Sequence, residues 1–375
     1  MLRKLSISGY KALDSFEIEF MPLTLLMGAN GTGKTSICEV LRGIREFVID
    51  SQPLSKVFSP ESLGANLGSE SIHIVIKIAP SPDLELVYEL VANYERSEFV
   101  VHEELLSTTG NRLVMIRRGV QAERFNPLGV VGLESRWRLG RGFSALANAP
   151  DDHVEIESTI FRDWLRNLLV ARPSPLAMHK FSSRGQIGLE YHLSNFVSWH
   201  RAHALNDTSL ARAVEGDISA VFPEIRSLSH RYLNEVADIF EANVLARSGG
   251  PLAGNTFPVP FSSLSDGQRM LIALYTILHA AVKPGSTVII DEPDNFVALR
   301  EIQPWINALR DRIETVGGQA ILISHHPEVL NQLATHHGIE LVREPDGHIV
   351  AKRFNPPNPG ALTPAELVAR GHLDG

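Results

Sequence analysis

Gly28-Ala29-Asn30-Gly31-Thr32-Gly33-Lys34-Thr35 lies between the apolar run Leu23-Thr24-Leu25-Leu26-Met27 and a segment whose apolar residues Ile37, Val40, Leu41, Ile44 and Val48 recur at helical spacing. The eight residues fit the pattern G-x-x-x-x-G-K-[ST]. The flanking periods place it on a turn between a strand and a helix, where the pattern has physical meaning. Glycines let the backbone curl until successive N–H groups converge on one anion, and the helix that follows adds the positive end of its dipole. Lys34 would reach the outer phosphates of a nucleotide. Thr35 would offer its hydroxyl to magnesium, whose octahedral shell takes hard oxygen ligands.

Outward from this loop, the chain has 375 residues, 44% of them hydrophobic, enough to bury a large core in one elaborated domain or two smaller ones. A formal net charge of -8 argues against a uniformly basic surface, so any nucleic-acid contact needs a local patch. Cys38 is the single cysteine, which rules out intrachain disulfides and cysteine-based zinc sites and fits a reducing, cytoplasmic setting. The start, Met1 to Ser6, lacks the apolar core of a signal peptide, and no run approaches 18 uninterrupted apolar residues, so no membrane association is expected.

Alternating apolar residues predict strands around Leu5 and Ile7 and around Phe16, Ile18 and Phe20, then at Ile72–Ile78, Leu84–Tyr94, Phe99–Leu106 and Arg112–Arg117. Short links such as Pro80-Ser81-Pro82-Asp83 and Thr109-Gly110 make these an antiparallel sheet. Gly119 to Asp151 shows no period and reads as a long irregular segment. Its Arg124, Arg136, Trp137, Arg138 and Arg141 form either a phosphate-and-stacking surface for nucleic acid or arginines paired with local acids such as Glu123 and Glu134. Helical patterns follow at Ile156–Val170, Leu189–His203 and Ser209–Val221, with Trp164 and Trp199 as core anchors, and Gly249–Pro260 reads as a loop.

Three further motifs come late in the chain. Leu264-Ser265-Asp266-Gly267-Gln268 opens a helix carrying Met270, Leu271, Ala273, Leu274, Ile277 and Leu278, a second polar turn at a helix start. Thr287-Val288-Ile289-Ile290 is an all-apolar run expected for a strand buried on both faces, and it ends in Asp291-Glu292-Pro293. Acids at the carboxyl end of such a strand lie where open α/β sheets place their ligands; Asp291 would hold magnesium and Glu292 would orient or deprotonate water. A helix at Arg300–Thr315 leads to Ala320-Ile321-Leu322-Ile323 and then Ser324-His325-His326-Pro327, where a histidine would sense a γ-phosphate. His336-His337 is a further pair without recognisable metal-ligand spacing.

Taken in order, these motifs resemble those of the ATP-binding-cassette ATPases. Gly28 to Thr35 is similar to the Walker A loop, Leu264 to Gln268 to the LSGGQ signature with Asp266 in place of a glycine, Ile289 to Pro293 to Walker B, and His325 to the switch histidine. Transporter subunits carry the signature much closer to the P-loop than the 231 positions that separate Lys34 from Ser265. Leu5-Ser6-Ile7-Ser8-Gly9-Tyr10-Lys11-Ala12-Leu13 resembles the I-x-N-F-[RK]-S-F opening of the SMC, RecF and OLD-like group, and Asp291-Glu292-Pro293-Asp294-Asn295 its DEPEN sequence. The nearest likeness is to stand-alone, RecF-like ATPases of the AAA_21 type. It covers the chain ends, to Gly375, and the motif regions, with the middle loosely matched.

The resemblance implies an α/β P-loop NTPase of ABC type: a mixed central sheet, an antiparallel β subdomain, and a helical subdomain inserted between Walker A and the signature. The expected lobes are 1–118, 119–235 and 236–375. Its implied site comprises Lys11, Gly28, Ala29, Asn30, Gly31, Thr32, Gly33, Lys34, Thr35 and Ser36 on the nucleotide, Thr35 and Asp291 on Mg2+, and Glu292, His325 and Lys34 in catalysis. Leu264, Ser265, Asp266, Gly267 and Gln268 would complete the ATP site of a second copy. The implied function is an ATP-gated homodimerising switch in DNA repair or phage defence, acting on DNA or on a separately encoded nuclease or toxin. The alternatives are a nucleotide-dependent regulator of a toxin or nuclease with little turnover, and a transporter subunit. Gln52 and Gln186 are the two candidates for a Q-loop residue.

Overall fold

The computed structural model describes residues 1–64, 70–110, 112–125, 133–150, 156–183, 188–233, 237–246, 254–356 and 362–369. The chain divides into two compact units, one of residues 1–168, 285–287 and 333–375, the other of residues 169–284 and 288–332.

The first unit begins with β1 (Leu2–Ser8), β2 (Phe16–Glu19) and β3 (Leu23–Met27), then α1 (Lys34–Val48) and the short α2 (Leu54–Val57). Ile37, Val40, Leu41, Ile44 and Val48 are all buried on α1, as their spacing predicts. Next come β4 (Ser71–Ser81), β5 (Leu84–Glu95), β6 (Glu98–Thr108), β7 (Leu113–Arg118), β8 (Gln121–Phe125) and β9 (Leu133–Arg138). With β1 and β2 they form an antiparallel sheet in the order β2-β1-β4-β5-β6-β7-β8-β9. Its register aligns Ile74 with Leu90, Ile76 with Tyr88 and Ile78 with Leu86 on one buried face. Each such side chain contributes roughly 1.5–3 kcal/mol of hydrophobic stabilisation.

β8 and β9 correct the expectation of an irregular segment from Gly119 to Asp151. β9 is the outermost strand and buries none of its side chains, so it has no apolar alternation to read. The structure supports the paired reading for three of the four arginines, Arg124, Arg136 and Arg141. Arg136 stands directly opposite Glu123 and pairs with it at 2.6 Å, Arg124 pairs with Glu134 at 3.5 Å, and Arg141 pairs with Glu95. These charges are matched within the sheet.

α3 (Ile156–Arg166) stops short of the predicted Val170, and Leu168-Leu169-Val170-Ala171 is instead a strand, β10 (Leu168–Ala171). A four-residue apolar run satisfies either period, and pairing beside another buried strand decides it. Trp164 is an interior anchor, 4% exposed, with its indole N–H donating to Thr287 Oγ1 at 3.1 Å.

The second unit continues with β11 (Phe181–Ser183), α4 (Phe196–Asn206), α5 (Thr208–Val221), β12 (Ile225–Tyr232), β13 (Ala237–Leu245) and β14 (Thr256–Pro260). It ends with α6 (Asp266–Ala281), β15 (Thr287–Asp291), α7 (Leu299–Val316) and β16 (Gln319–Ile323). The helix predicted from Leu189 begins only at Phe196. Asn195 accepts from the Glu190 N–H and donates to Gly188 O, so its amide holds the preceding residues in a turn. The end of the predicted Gly249–Pro260 loop pairs with β13 as β14, whose prolines suit a strand bonded on one side only. β15 lies between β10 and β16, and every residue of β15 and β16 is buried.

The chain closes in the first unit after α8 (Pro327–His337), with β17 (Gly338–Arg343), β18 (Ile349–Arg353) and α9 (Pro364–Ala369). β17 runs parallel to β3, with Ile339 beside Leu26, and antiparallel to β18, a mixed arrangement. This pairing brings the far end of the sequence against the strand that delivers the glycine-rich loop.

Candidate nucleotide site

The loop from Gly28 to Gly33 runs from the end of β3 into the N-terminus of α1, with Gly33 as N-cap. Gly28 sits at φ 139°, and a Cβ there would lie 2.4 Å from Leu341 O of β17. Conformation and close approach together require glycine. Thr32 Oγ1 donates to Ala29 O at 2.9 Å, and Arg343 Nη2 of β17 donates to Gly31 O at 3.0 Å, so the curl is braced from inside and outside. Lys34, 8% exposed, folds back over the loop, its ammonium 2.7 Å from Gly28 O and 2.9 Å from Ala29 O. The nearly dry cation over a ring of backbone and the start of a 15-residue helix suit a phosphate chain. Thr35 and Ser36 occupy the first turn of α1.

Lys11 also belongs to this unit and is held at φ 50°, its ammonium paired with Glu39 on α1 and its N–H donating to Ser62 O at 2.8 Å. Gln52 follows α1, where its side chain donates to Asp50 O. The helix is about 22 Å long at 1.5 Å per residue, so Gln52 stands at the end remote from Lys34. Gln186 lies outside the described residues.

In the second unit, Asp291 ends β15 at 2% exposure and Glu292 turns sharply away at φ 54°. The Glu292 N–H donates to Ile323 O at 2.8 Å, which sets the acidic turn beside the end of β16, two residues before the exposed His325. Ser324 Oγ donates to Asp294 Oδ1 at 2.5 Å, and the His326 N–H donates to Ser324 Oγ at 3.0 Å, linking the two strand ends. Burial raises the Asp294 carboxyl above its ordinary range, against the lowering effect of Ser324.

Sequence reasoning missed Arg172. Its Nη2 donates to Glu292 Oε2 at 2.6 Å and its Nε lies 3.8 Å from Asp291 Oδ2. Arg172 lies 120 residues from Glu292, and the only local signal was its place at the end of the apolar run Leu168–Ala171.

Ser265 is the exposed N-cap of α6; its hydroxyl accepts from the Gln268 N–H, and Gln268 Oε1 accepts from the Ser265 N–H, a capping box. Asp266 pairs with Arg269 one turn on, which gives the departure from a glycine a favourable charge at a helix N-terminus. A Cβ on Gly267 would lie 2.9 Å from Phe296 O, in the segment after the acidic turn. Glycine here serves close backbone approach. His336 and His337 end α8 with ring centres 6.4 Å apart, and among the described residues no group of three or more His, Cys, Asp or Glu is placed to hold a metal.

The model described as "AAA domain, putative AbiEii toxin, Type IV TA system" matches residues 146–331, and one described as "AAA ATPase domain" matches residues 1–112. Among solved structures, an SmcHead bound to the C-winged helix domain of ScpA is similar over 95% of this chain and 98% of that one, at TM-score 0.54 and 13% identity. An Smc head domain with an extended coiled coil, bound to the C-terminal domain of ScpA derived from Pyrococcus furiosus, is similar over 94% and 96%, at TM-score 0.50 and 12% identity. An SMC head domain from Thermotoga maritima aligns over 95% and 99%, at TM-score 0.47 and 14% identity. No curated protein sequence matches. At these identities the structural likeness is one of fold. Two ATPase-domain models matched one after the other along the chain, together with a fold similar to that of Smc heads, support a P-loop ATPase of ABC type. It is an ATPase.

Proposed function

We propose that the protein is an ATP-gated switch whose two copies close around nucleotide and act on a partner macromolecule in DNA maintenance or phage defence. The observation that carries this reading is the second helix start at Ser265, exposed and followed by Gly267. The chain has one phosphate loop and a separate helix N-terminus of the kind that binds anions, which a second copy's nucleotide would fill.

In this reading the N–H groups of residues 28–35 and the Lys34 ammonium bind the phosphates, and Lys11 lies on the same unit to approach them. Thr35 offers a hydroxyl and Asp291 a buried carboxylate, each a hard oxygen donor of the type Mg2+ takes; the ion would neutralise charge on phosphate oxygens. Glu292 orients the attacking water, His325 bonds the γ-phosphate, and Ser265 with the Gly267 N–H contacts that phosphate from the other copy. Closure and release of the pair, rather than the hydrolysis product, is the useful output.

A separately encoded effector is supported by the toxin–antitoxin description of the matched model and by the ScpA domains bound to the similar heads. DNA as a ligand draws no support from Arg124, Arg136 and Arg141, which are paired with acids. The test is light scattering of the wild type and Glu292→Gln with ATP and magnesium, with and without DNA. A stable dimer of Glu292→Gln is expected; a monomer at saturating ATP would overturn the closed pair.

A further inference from the structure

Arg172 is held by its backbone before its side chain does anything. Its N–H donates to Tyr191 O at 2.7 Å, its carbonyl lies 3.2 Å from His192 Nδ1, and three residues later Arg269 Nη1, from the signature helix, donates to Pro175 O at 2.8 Å. From this anchored base the guanidinium reaches Glu292 Oε2, which also accepts from Asn295 Nδ2 at 2.8 Å. Both described donors fall on the same carboxylate oxygen.

The residue they hold is strained. A non-glycine φ of 54° costs on the order of 1–3 kcal/mol and persists only where surroundings over-determine it. Glu292 is fixed at its backbone by Ile323 and at its side chain by Arg172 and Asn295. Stability does not explain the ion pair, because Arg172 is 42% exposed and pairs of that exposure contribute about 0–1 kcal/mol. Arg172 also answers an electrostatic difficulty: Asp291 and Glu292 are adjacent carboxylates at a place meant for an anionic substrate, and the guanidinium lies against both.

We propose, resting on the reading that Glu292 orients the attacking water, that Arg172 is the positioning residue for that carboxylate. It fixes Oε2, turns Oε1 to the water, and offsets the repulsion between the acidic pair and the phosphates. Arg172 itself touches neither water nor nucleotide.

The experiment compares steady-state ATP hydrolysis and ATP affinity for the wild type, Arg172→Ala, Arg172→Lys and Glu292→Gln. Arg172→Ala should lose about 10- to 100-fold in kcat, the scale of a misplaced catalytic group, with the ATP dissociation constant within twofold of wild type. Guanidinium ion at millimolar, non-denaturing concentration should restore part of that loss in Arg172→Ala and none in Glu292→Gln. Arg172→Lys, which keeps the charge without the fork, should fall between and guards against a folding defect in the alanine variant. A kcat within twofold of wild type, a kcat above it, or a loss of ATP affinity that accounts for the whole defect would each overturn the proposal. If Glu292→Gln turns over like wild type, the catalytic reading of Glu292 is wrong; if it is inactive while Arg172→Ala is unimpaired, only the role of Arg172 fails.

Discussion

The phosphate loop and the acidic strand end reach functional geometry by opposite routes. Between Gly28 and Thr35 the conformation is written into eight consecutive residues, and distant chain adds a brace from Arg343 and the carbonyl of Leu341. At Glu292 the backbone is held by Ile323, the carboxylate by Arg172 and Asn295, and the neighbouring Asp294 by Ser324. A contiguous loop tolerates change elsewhere in the chain. An assembled site depends on three chain segments keeping register.

The contrast is broken most directly by two substitutions that should separate binding from chemistry. Lys34→Ala removes the buried ammonium from the loop, and nucleotide affinity should fall by about 100-fold or more, the loss of strong charge-assisted bonds; titration with a fluorescent ATP analogue measures it, and retained affinity would contradict the loop assignment. Glu292→Gln should leave affinity near wild type while hydrolysis drops by about 10²- to 10⁴-fold, the range for a positioned acid or base. Equal losses in both quantities would mean that the two regions are not functionally distinct.

Gly267→Ala probes long-range assembly without removing a charge. Its Cβ would press on Phe296 O, and an overpacked contact costs about 1–3 kcal/mol, read as a lower denaturation midpoint. No change would show that the segment after Glu292 yields freely.

The interior of the second unit offers a pH test. His200 and His230 are hydrogen-bonded at 2.9 Å and both pack against Phe240, and burial lowers them to about 3 and about 4 from an ordinary 6.5. Below 6.5 the unfolded chain binds protons that the folded chain refuses, so stability should fall as pH drops from about 6.5 towards 4. The thermal midpoint of His200→Gln should decline less between pH 7 and 5 than that of the wild type. An equal decline would place the acid sensitivity elsewhere. The smallest effect belongs to Asp266→Ala, which loses a helix-terminal charge and a partly exposed pair with Arg269, about 0.5 kcal/mol in equilibrium unfolding.

The difference between the two regions also explains what could be read in advance. The glycine-rich loop, the capped turn at Ser265 and the apolar strand ending in Asp291 are local, because turn conformation, helix capping and two-sided burial each leave a residue pattern within one short window. Patterns of that kind also gave β1 to β7 and the buried face of α1. β9 left none because it buries no side chain, β8 left none because the two residues it buries are a small one, Ala122, and a charged one, Arg124, and the start of α4 was hidden because the Asn195 side chain, not a break in periodicity, ends the preceding turn.

By itself, then, the sequence determined the class of chemistry: a phosphate loop, an acidic strand end and a second helix start, each specified by backbone conformations that only particular neighbouring residues permit. Tertiary structure alone decided which acids each arginine meets. Arg124, Arg136 and Arg141 are spent on acids of their own sheet, whereas Arg172 lies on Glu292. A charge acts on whatever lies within a few ångströms, and the fold, not the order of residues, sets that distance.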